Sequence, residues 1–448
     1  MTGLKNTTDV LIISHDVVGK QMAGPGIRYY HLARVLSREF NVTLAVPHEQ
    51  ALELTDVGFQ TGCYKRGDWG SIMGLVDKAR VVIMPSDIAS DFPQLSQIQT
   101  PLVIDGYDPL LAEWLFLHQS MPITEQHFHW KRRMRELTQQ YLMGDFFLCA
   151  SERQRDWWLG LLEANGRINP FTLSRDTSLR SLIDVVAFGL PEISPQKTRQ
   201  VIKSVWPGIK ETDKVILWGG GLWPWLDPLT AIRAAAKVWK YRQDIRLIFP
   251  GTRHPNPMLG NIPSHNQAAI QLAQEFNLLD KAVFFGEWIP YTDWANVLLE
   301  SDLALSLHYD TLETRLAFRS RMLEYIWGSL PMVATKGDAT SDLVSKYGLG
   351  MVVDYEDVNQ VAEAILKLLD TPRSMFKEQF DTAQKALSWE QTAQPLIGFC
   401  RNPYQAMDRA AIKGKLGNPF YMRQDSYIKS RIMKLIKKVK RLFINHGS

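Results

Sequence analysis

Short apolar runs alternate along the chain with longer stretches of helical period. Residues 10–14 are almost continuously apolar, the pattern of a parallel strand covered on both faces. A glycine turn, Gly24-Pro25-Gly26, follows, and residues 29–40 then have helical spacing. Residues 41–46, 80–84, 101–105 and 145–150 read as further strands, the last leading into a helix that carries Trp157 and Trp158. At 214–218 the pattern restarts, again with a glycine turn, Gly219-Gly220-Gly221, and a helix over 229–239. Residues 245–249, 282–285, 303–307 and 331–334 continue it. Strands alternating with helices predict parallel α/β sheets, and the restart predicts two of them. Residues 189–212, with Pro191, Pro195 and Pro207, are the expected linker, and 165–180 reads as an irregular loop.

The length, 448 residues, fits two lobes of roughly 200 residues each. Three widely spaced cysteines, Cys63, Cys149 and Cys400, have neither disulfide-framework nor zinc-ligand spacing, which favours a reducing cytosol. No run approaches the ~20 apolar residues of a spanning helix, and residues 10–14 are too short for a signal-peptide core. Net charge is +4, yet residues 429–441 alone hold seven Lys or Arg and no acid, which leaves −3 for the rest. The body is therefore not a nucleic-acid surface. Residues 428–444 read as a helix with Ile428, Ile432, Leu435, Ile436, Val439, Leu442 and Phe443 on one stripe and cations elsewhere. That composition fits a helix lying on anionic lipid, with a solvated basic helix or a disordered tail as the alternative.

Candidate chemistry sits at strand ends. Gly24 and Gly26 open a helix directly after a strand, where backbone can approach a phosphate, and Arg28 adds a charge; a tight structural turn is the equal alternative. Gly220 and Gly221 admit the same two readings, and neither turn has the full dinucleotide fingerprint. In the segment 308–335, Glu324 lies in an apolar helix between Leu323 and Tyr325, where an unpartnered carboxylate costs several kcal/mol. A ribose hydroxyl pair would satisfy it, as would a salt bridge to Arg315, Arg319 or Arg321, which crowd the helix start. Asp105 and Asp108, after one first-lobe strand, and His15 and Asp16, after another, face the cleft if the topology is right. Trp223 and Trp225 can stack on a sugar ring or simply fill core.

The order and spacing of these segments over residues 8–400 resemble the retaining glycosyltransferases of family 4. Gly24 to Leu36 resembles the family's glycine loop and helix, and Asp145 to Arg153, with Ser151, its strand, serine and basic helix. Asp184-Val-Val-Ala-Phe-Gly189 resembles the strand end that closes its first lobe. Leu323-Glu324 through Pro331-Met-Val-Ala-Thr335 resembles its signature, and Ser388-Trp389 the step before its C-terminal helix. The resemblance implies the GT-B fold: two Rossmann-like lobes facing a central cleft, here with a basic C-terminal helix added. It divides the chain into an acceptor-side lobe (1–192), a donor-side lobe (205–386), a crossover helix and extension (387–425) and a membrane-surface helix (426–448).

Carried over, Glu324 matches the second glutamate of the family's Glu-x7-Glu motif, which binds the donor ribose. The first glutamate falls on Leu316, and Glu313 is the nearest acid. The family's diphosphate-gripping cations are missing from 219–227, and Arg315, Arg319 and Arg321 are the candidates to replace them. Gly251, Glu287, Trp288, His308 and Phe318 are expected on the donor side as well, with a core Trp capping a sheet at least as good a reading of Trp288; Glu313, Asp16 and His15 are the catalytic candidates, and Arg28, Asp105 and Asp108 those toward the acceptor. The resemblance implies a nucleotide-diphosphate sugar and a glycan or lipid-linked acceptor, no metal and no cofactor. By analogy it implies bacterial envelope or exopolysaccharide synthesis at the inner membrane face. Two rival readings are a non-catalytic nucleotide-sugar-binding protein and a nicotinamide-dependent oxidoreductase. The missing residues favour the first, and the incomplete glycine fingerprints count against the second.

Overall fold

The structure, a computed structural model, describes residues 9–19, 22–47, 58–252 and 265–410. The first seven strands are β1 (Asp9–Ile13), β2 (Asn41–Pro47), β3 (Gln60–Tyr64), β4 (Val81–Pro85), β5 (Leu102–Asp105), β6 (Phe146–Cys149) and β7 (Ile183–Val185). They form one parallel sheet in the order β3-β2-β1-β4-β5-β6-β7. The next six are β8 (Lys214–Trp218), β9 (Ile245–Pro250), β10 (Val283–Gly286), β11 (Leu303–Ser306), β12 (Met332–Thr335) and β13 (Gly350–Val353). They form a second parallel sheet, β10-β9-β8-β11-β12-β13. In each sheet the order reverses beside its first strand, between β1 and β4 and between β8 and β11. A crevice at the carboxyl ends of strands is the ligand position such a reversal creates.

The apolar runs are strands because both faces of each sheet are covered. Val10 and Ile12 enter one core and Leu11 and Ile13 another on the opposite face. Burying each such side chain contributes about 1.5–3 kcal/mol. Among the edge strands β3 and β13 lack this signature, whereas β10 keeps it in Val283 and Phe284. In β3 only Tyr64 is buried, and β13 opens on glycine; neither reads as a strand from the sequence. The expected loop at 165–180 contains a helix, Pro170–Arg175, started by an Asn169–Thr172 capping box with proline at its first turn.

After the second sheet the chain returns to the first lobe. Phe399 stacks on Phe146 at 4.8 Å, and Arg401 pairs with Glu39 at 2.6 Å. The fully buried Arg167 grips Asp408 at 2.9 Å. The expected basic helix at 426–448, and the extension beyond residue 410, lie outside the described residues.

Candidate functional site

The carboxyl ends of the two sheets enclose a cavity of about 300 Å3. On the first-lobe wall, the helix Gly24–Leu36 begins at the cavity with Ala23 as its N-cap, no side-chain cap, and Pro25, which has no N–H, in its first turn. Gly24 lines the cavity and lies against Ser320 of the other lobe. Gly26 plays a different part: a Cβ there would fall 1.9 Å from Val17 O, so glycine is what lets the helix pack on the preceding loop. Gly26 is buried in that packing and, unlike Gly24, does not line the cavity.

Arg28 and Asp105 also leave the acceptor side. Arg28 Nε donates to Asp105 Oδ2 at 2.6 Å and Nη2 to Oδ1 at 2.9 Å, with both side chains wholly buried. Nη2 donates to Val186 O as well, and the guanidinium lies 4.8 Å from the Tyr107 ring centroid. They tie the helix to the ends of β5 and β7 beneath the cavity floor. His15 is held similarly, with Nδ1 2.6 Å from Asp87 Oδ1. Burial alone would lower its pKa, but Asp87, with the charges of Asp16 and Asp108, raises the imidazole above 6.5. Asp16, beside it, does line the cavity.

Asp108 faces the cavity together with Glu113, a residue not singled out from the sequence. Glu113 sits in the apolar helix Leu110–Leu117, the same signal that marks Glu324. Burial, then the charges of Asp108 and Glu313, pushes the Glu113 carboxyl well up. Burial pushes Asp108 up to about 7; His15, Tyr107 and Arg28 oppose the shift and Asp105 adds to it. An unfolded-state carboxyl near 3.8 ionises before the folded one, so the folded state keeps the proton longer and stability falls as pH rises from about 4 to about 7. Asp108→Asn is therefore expected to raise the melting temperature, and by more at pH 8 than at pH 5. An equal gain at both pH values would mean that Asp108 titrates normally.

On the second-lobe wall, Gly220, Gly221 and the stacked pair Trp223 and Trp225, 5.8 Å apart, follow β8. Backbone bonds fix this segment: Asp227 N donates to Leu307 O at 3.0 Å and Tyr309 N to Trp225 O at 3.1 Å. Phe318, Arg319 and Arg321 line the cavity at the start of the helix Ser320–Trp327, which has no side-chain cap. Arg319 binds Glu313 through two 2.8 Å bonds, so Glu313 is buried behind it rather than open to a substrate. Arg321 Nη1 donates to Glu324 Oε2 at 2.6 Å. Burial raises the Glu324 pKa against the pull of Arg321. The salt-bridge alternative for Glu324 is thus realised, on a half-buried face rather than a solvated one.

Other expected donor residues lie elsewhere. Arg315 is exposed and does not line the cavity. His308 is buried, with Nε2 3.1 Å from Lys336 O and burial lowering its pKa against Asp338. Gly251 lines a narrow slot that adjoins the cavity, and Glu287 lines an outer groove; Trp288 touches both and the cavity. The lobes meet around the cavity through Gln154, whose Nε2 donates to Tyr107 O and Leu316 O at 2.7 Å each. Arg153 adds a bridge to Asp342 at 2.8 Å and a bond to Gly337 O. His31 Nε2 lies 3.2 Å from Tyr291 OH. Among the described residues no group of His, Cys, Asp and Glu is arranged to hold a metal.

Residues 203–386 match the family model described as glycosyl transferases group 1. No curated protein sequence matches the chain. Sucrose-phosphate synthase from Thermosynechococcus elongatus is similar in structure, with a TM-score of 0.62 and 15% identity over 88% of this chain and 98% of that one. The E. coli trehalose-6-phosphate protein bound with UDP-2-fluoro glucose has a TM-score of 0.60 at 10% identity, over 89% of this chain and 100% of that one. Anabaena HepE in complex with UDP has a TM-score of 0.52 at 13% identity, over 92% and 98%. Likeness at such identities is a likeness of fold, the two-lobed GT-B arrangement.

Proposed function

We propose, on the premise that residues 203–386 are a glycosyl transferases group 1 domain within a two-lobed GT-B chain, that the protein is a retaining hexosyltransferase of the family 4 type. It moves a sugar from a nucleotide-diphosphate donor held by the second lobe to a glycan or lipid-linked acceptor approaching from the first. The observation that carries this reading is one wall of the cavity. There Arg319, Arg321 and the uncapped start of the helix Ser320–Trp327 converge, at the carboxyl ends of both sheets. Cations beside free helix N–H groups are what a departing diphosphate requires.

In this reading the bond from the anomeric carbon to the donor phosphate oxygen breaks, and that oxygen keeps the electron pair. The acceptor hydroxyl oxygen bonds to the anomeric carbon from the same face, and its proton passes to the departing phosphate. No metal or cofactor takes part. Glu324 takes the ribose hydroxyls, Trp288 and Gly251 lie by the base, and Asp16 and Asp108 hold acceptor hydroxyls. Placing the two reactants in one cavity supplies much of the rate. The setting is the cytoplasmic face of a bacterial membrane, in envelope or exopolysaccharide synthesis, with 426–448 on anionic lipid. Among the described residues no helix is long and apolar enough to cross a membrane.

One observation favours the binding-only alternative: Glu313, Arg319, Arg321 and Glu324 are all already paired. The full chain, offered UDP-, GDP-, ADP- and dTDP-hexoses, is expected to gain thermal stability with one of them and to release its nucleoside diphosphate slowly. A shift without release supports binding alone, and neither effect with any donor overturns the reading. In the same preparation, sedimentation with anionic vesicles should be lost on truncation after Ser426. Undiminished sedimentation of the truncated chain would refute the tail's part.

A further inference from the structure

The narrow slot beside the cavity lies where β8, β9 and β10 end, and Gly220, Gly251, Trp288, Trp294 and Arg321 are among the residues that bound it. Its free volume is about 10 Å3, room for about one water molecule and no more. Trp288 and Arg321 border both it and the wide cavity. The Trp288 indole lies against Gly251, whose φ is +86° and where a Cβ would fall 2.9 Å from it. The Arg321 guanidinium lies 4.7 Å from the Trp294 ring centroid and 5.8 Å from that of Trp288, and it binds Glu324 at 2.6 Å. Arg321 also borders the wide cavity, so its side chain spans the boundary between the two spaces.

We propose that Arg321 makes this site select nucleoside diphosphates over nucleosides by exchanging its partner, leaving Glu324 and the tryptophans for the diphosphate as the ribose takes Glu324. This rests on the donor reading above. Arg321 borders both spaces and holds Glu324 Oε2, while Glu324 itself lines neither, so a ribose that takes that oxygen displaces the guanidinium. A diphosphate offers that guanidinium a new anion at the neighbouring helix start, so the lost pair is replaced. A nucleoside satisfies Glu324 with hydroxyls, but leaves the partly buried guanidinium without its counter-charge. The same residue therefore blocks one ligand and recruits the other, an occupancy cost that only the phosphorylated ligand recovers.

Removing the side chain should move the two affinities in opposite directions. With the full chain and isothermal titration, the pairs tested are uridine and UDP, adenosine and ADP, and guanosine and GDP. In the pair whose diphosphate binds most tightly, Arg321→Ala is expected to weaken the diphosphate by about 10- to 100-fold, the worth of a charge-assisted contact. The same substitution should tighten the nucleoside by about three- to tenfold, because a competing occupant is gone. Arg321→Gln, which keeps more of the side chain, should show the same signs if the alanine variant folds poorly. Glu324→Gln should weaken both ligands. A residue with only a structural role would weaken both on removal of Arg321, and a simple phosphate contact would leave the nucleoside unchanged; either result overturns the proposal. If no nucleoside diphosphate binds the unaltered chain, the donor reading itself fails and this inference falls with it.

Discussion

Arg28→Met is expected to destabilise the first lobe by about 3–5 kcal/mol, the usual cost of leaving one member of a buried ion pair uncompensated. Asp105 would lose both guanidinium bonds, at 2.6 and 2.9 Å, while staying fully buried. Val186 O would lose its donor as well. Because the chain has two lobes, one global unfolding curve does not isolate the effect. Hydrogen exchange in β1, β4 and β5 does, and protection there should fall relative to β8 and β11. Arg28→Met with Asp105→Leu should recover most of the loss, since an apolar pair replaces the ionic one. An Arg28→Met chain with normal exchange and weakened acceptor use would restore Arg28 to the acceptor site.

That contrast marks what the sequence could carry. Interior strands such as β1 and β8 are legible because burial on both faces demands apolar residues at every position. The edge strands β3 and β13 bury one residue each, Tyr64 and Val353, and are not legible; β10, also an edge, is legible through buried Val283 and Phe284, and β7, another edge, is approached only through its family likeness. The helix in 165–180 was readable in principle, since Asn169 before Pro170 and three residues ahead of Thr172 is a helix start.

At the site the division follows sequence distance. Pairings within one turn or two, Arg321 with Glu324 and Arg319 with Glu313, lie within reach of local spacing. The Arg28–Asp105 pair spans 77 residues and His15–Asp87 spans 72, and only the sheet order brings them together. A cation beside a glycine turn therefore looks the same in sequence whether it meets a ligand or a buried carboxylate. Glu113 shows the converse. An acid inside Leu110–Leu117 carried the same signal as Glu324, but no family signature drew attention to it.

Arg319 is where structure and catalysis are most entangled, and one substitution cannot separate them. It lines the cavity, holds Glu313 through two 2.8 Å bonds and lies 3.7 Å from Asp338 Oδ2. Burial works against its charge, and Glu313 and then Asp338 raise its pKa above the ordinary value. Arg319→Ala should lower donor turnover by roughly 10²–10³-fold if the guanidinium stabilises the leaving diphosphate. It should also cost about 3–5 kcal/mol of stability, because Glu313 is left buried without its counter-charge. Arg319→Ala combined with Glu313→Ala removes both charges, so most of the stability should return while turnover stays low. The two readouts, melting temperature and release of nucleoside diphosphate, then part company. If turnover recovers together with stability in the double variant, Arg319 serves only to hold its loop. Charge stabilisation at the cavity would then rest on Arg321 and the helix start.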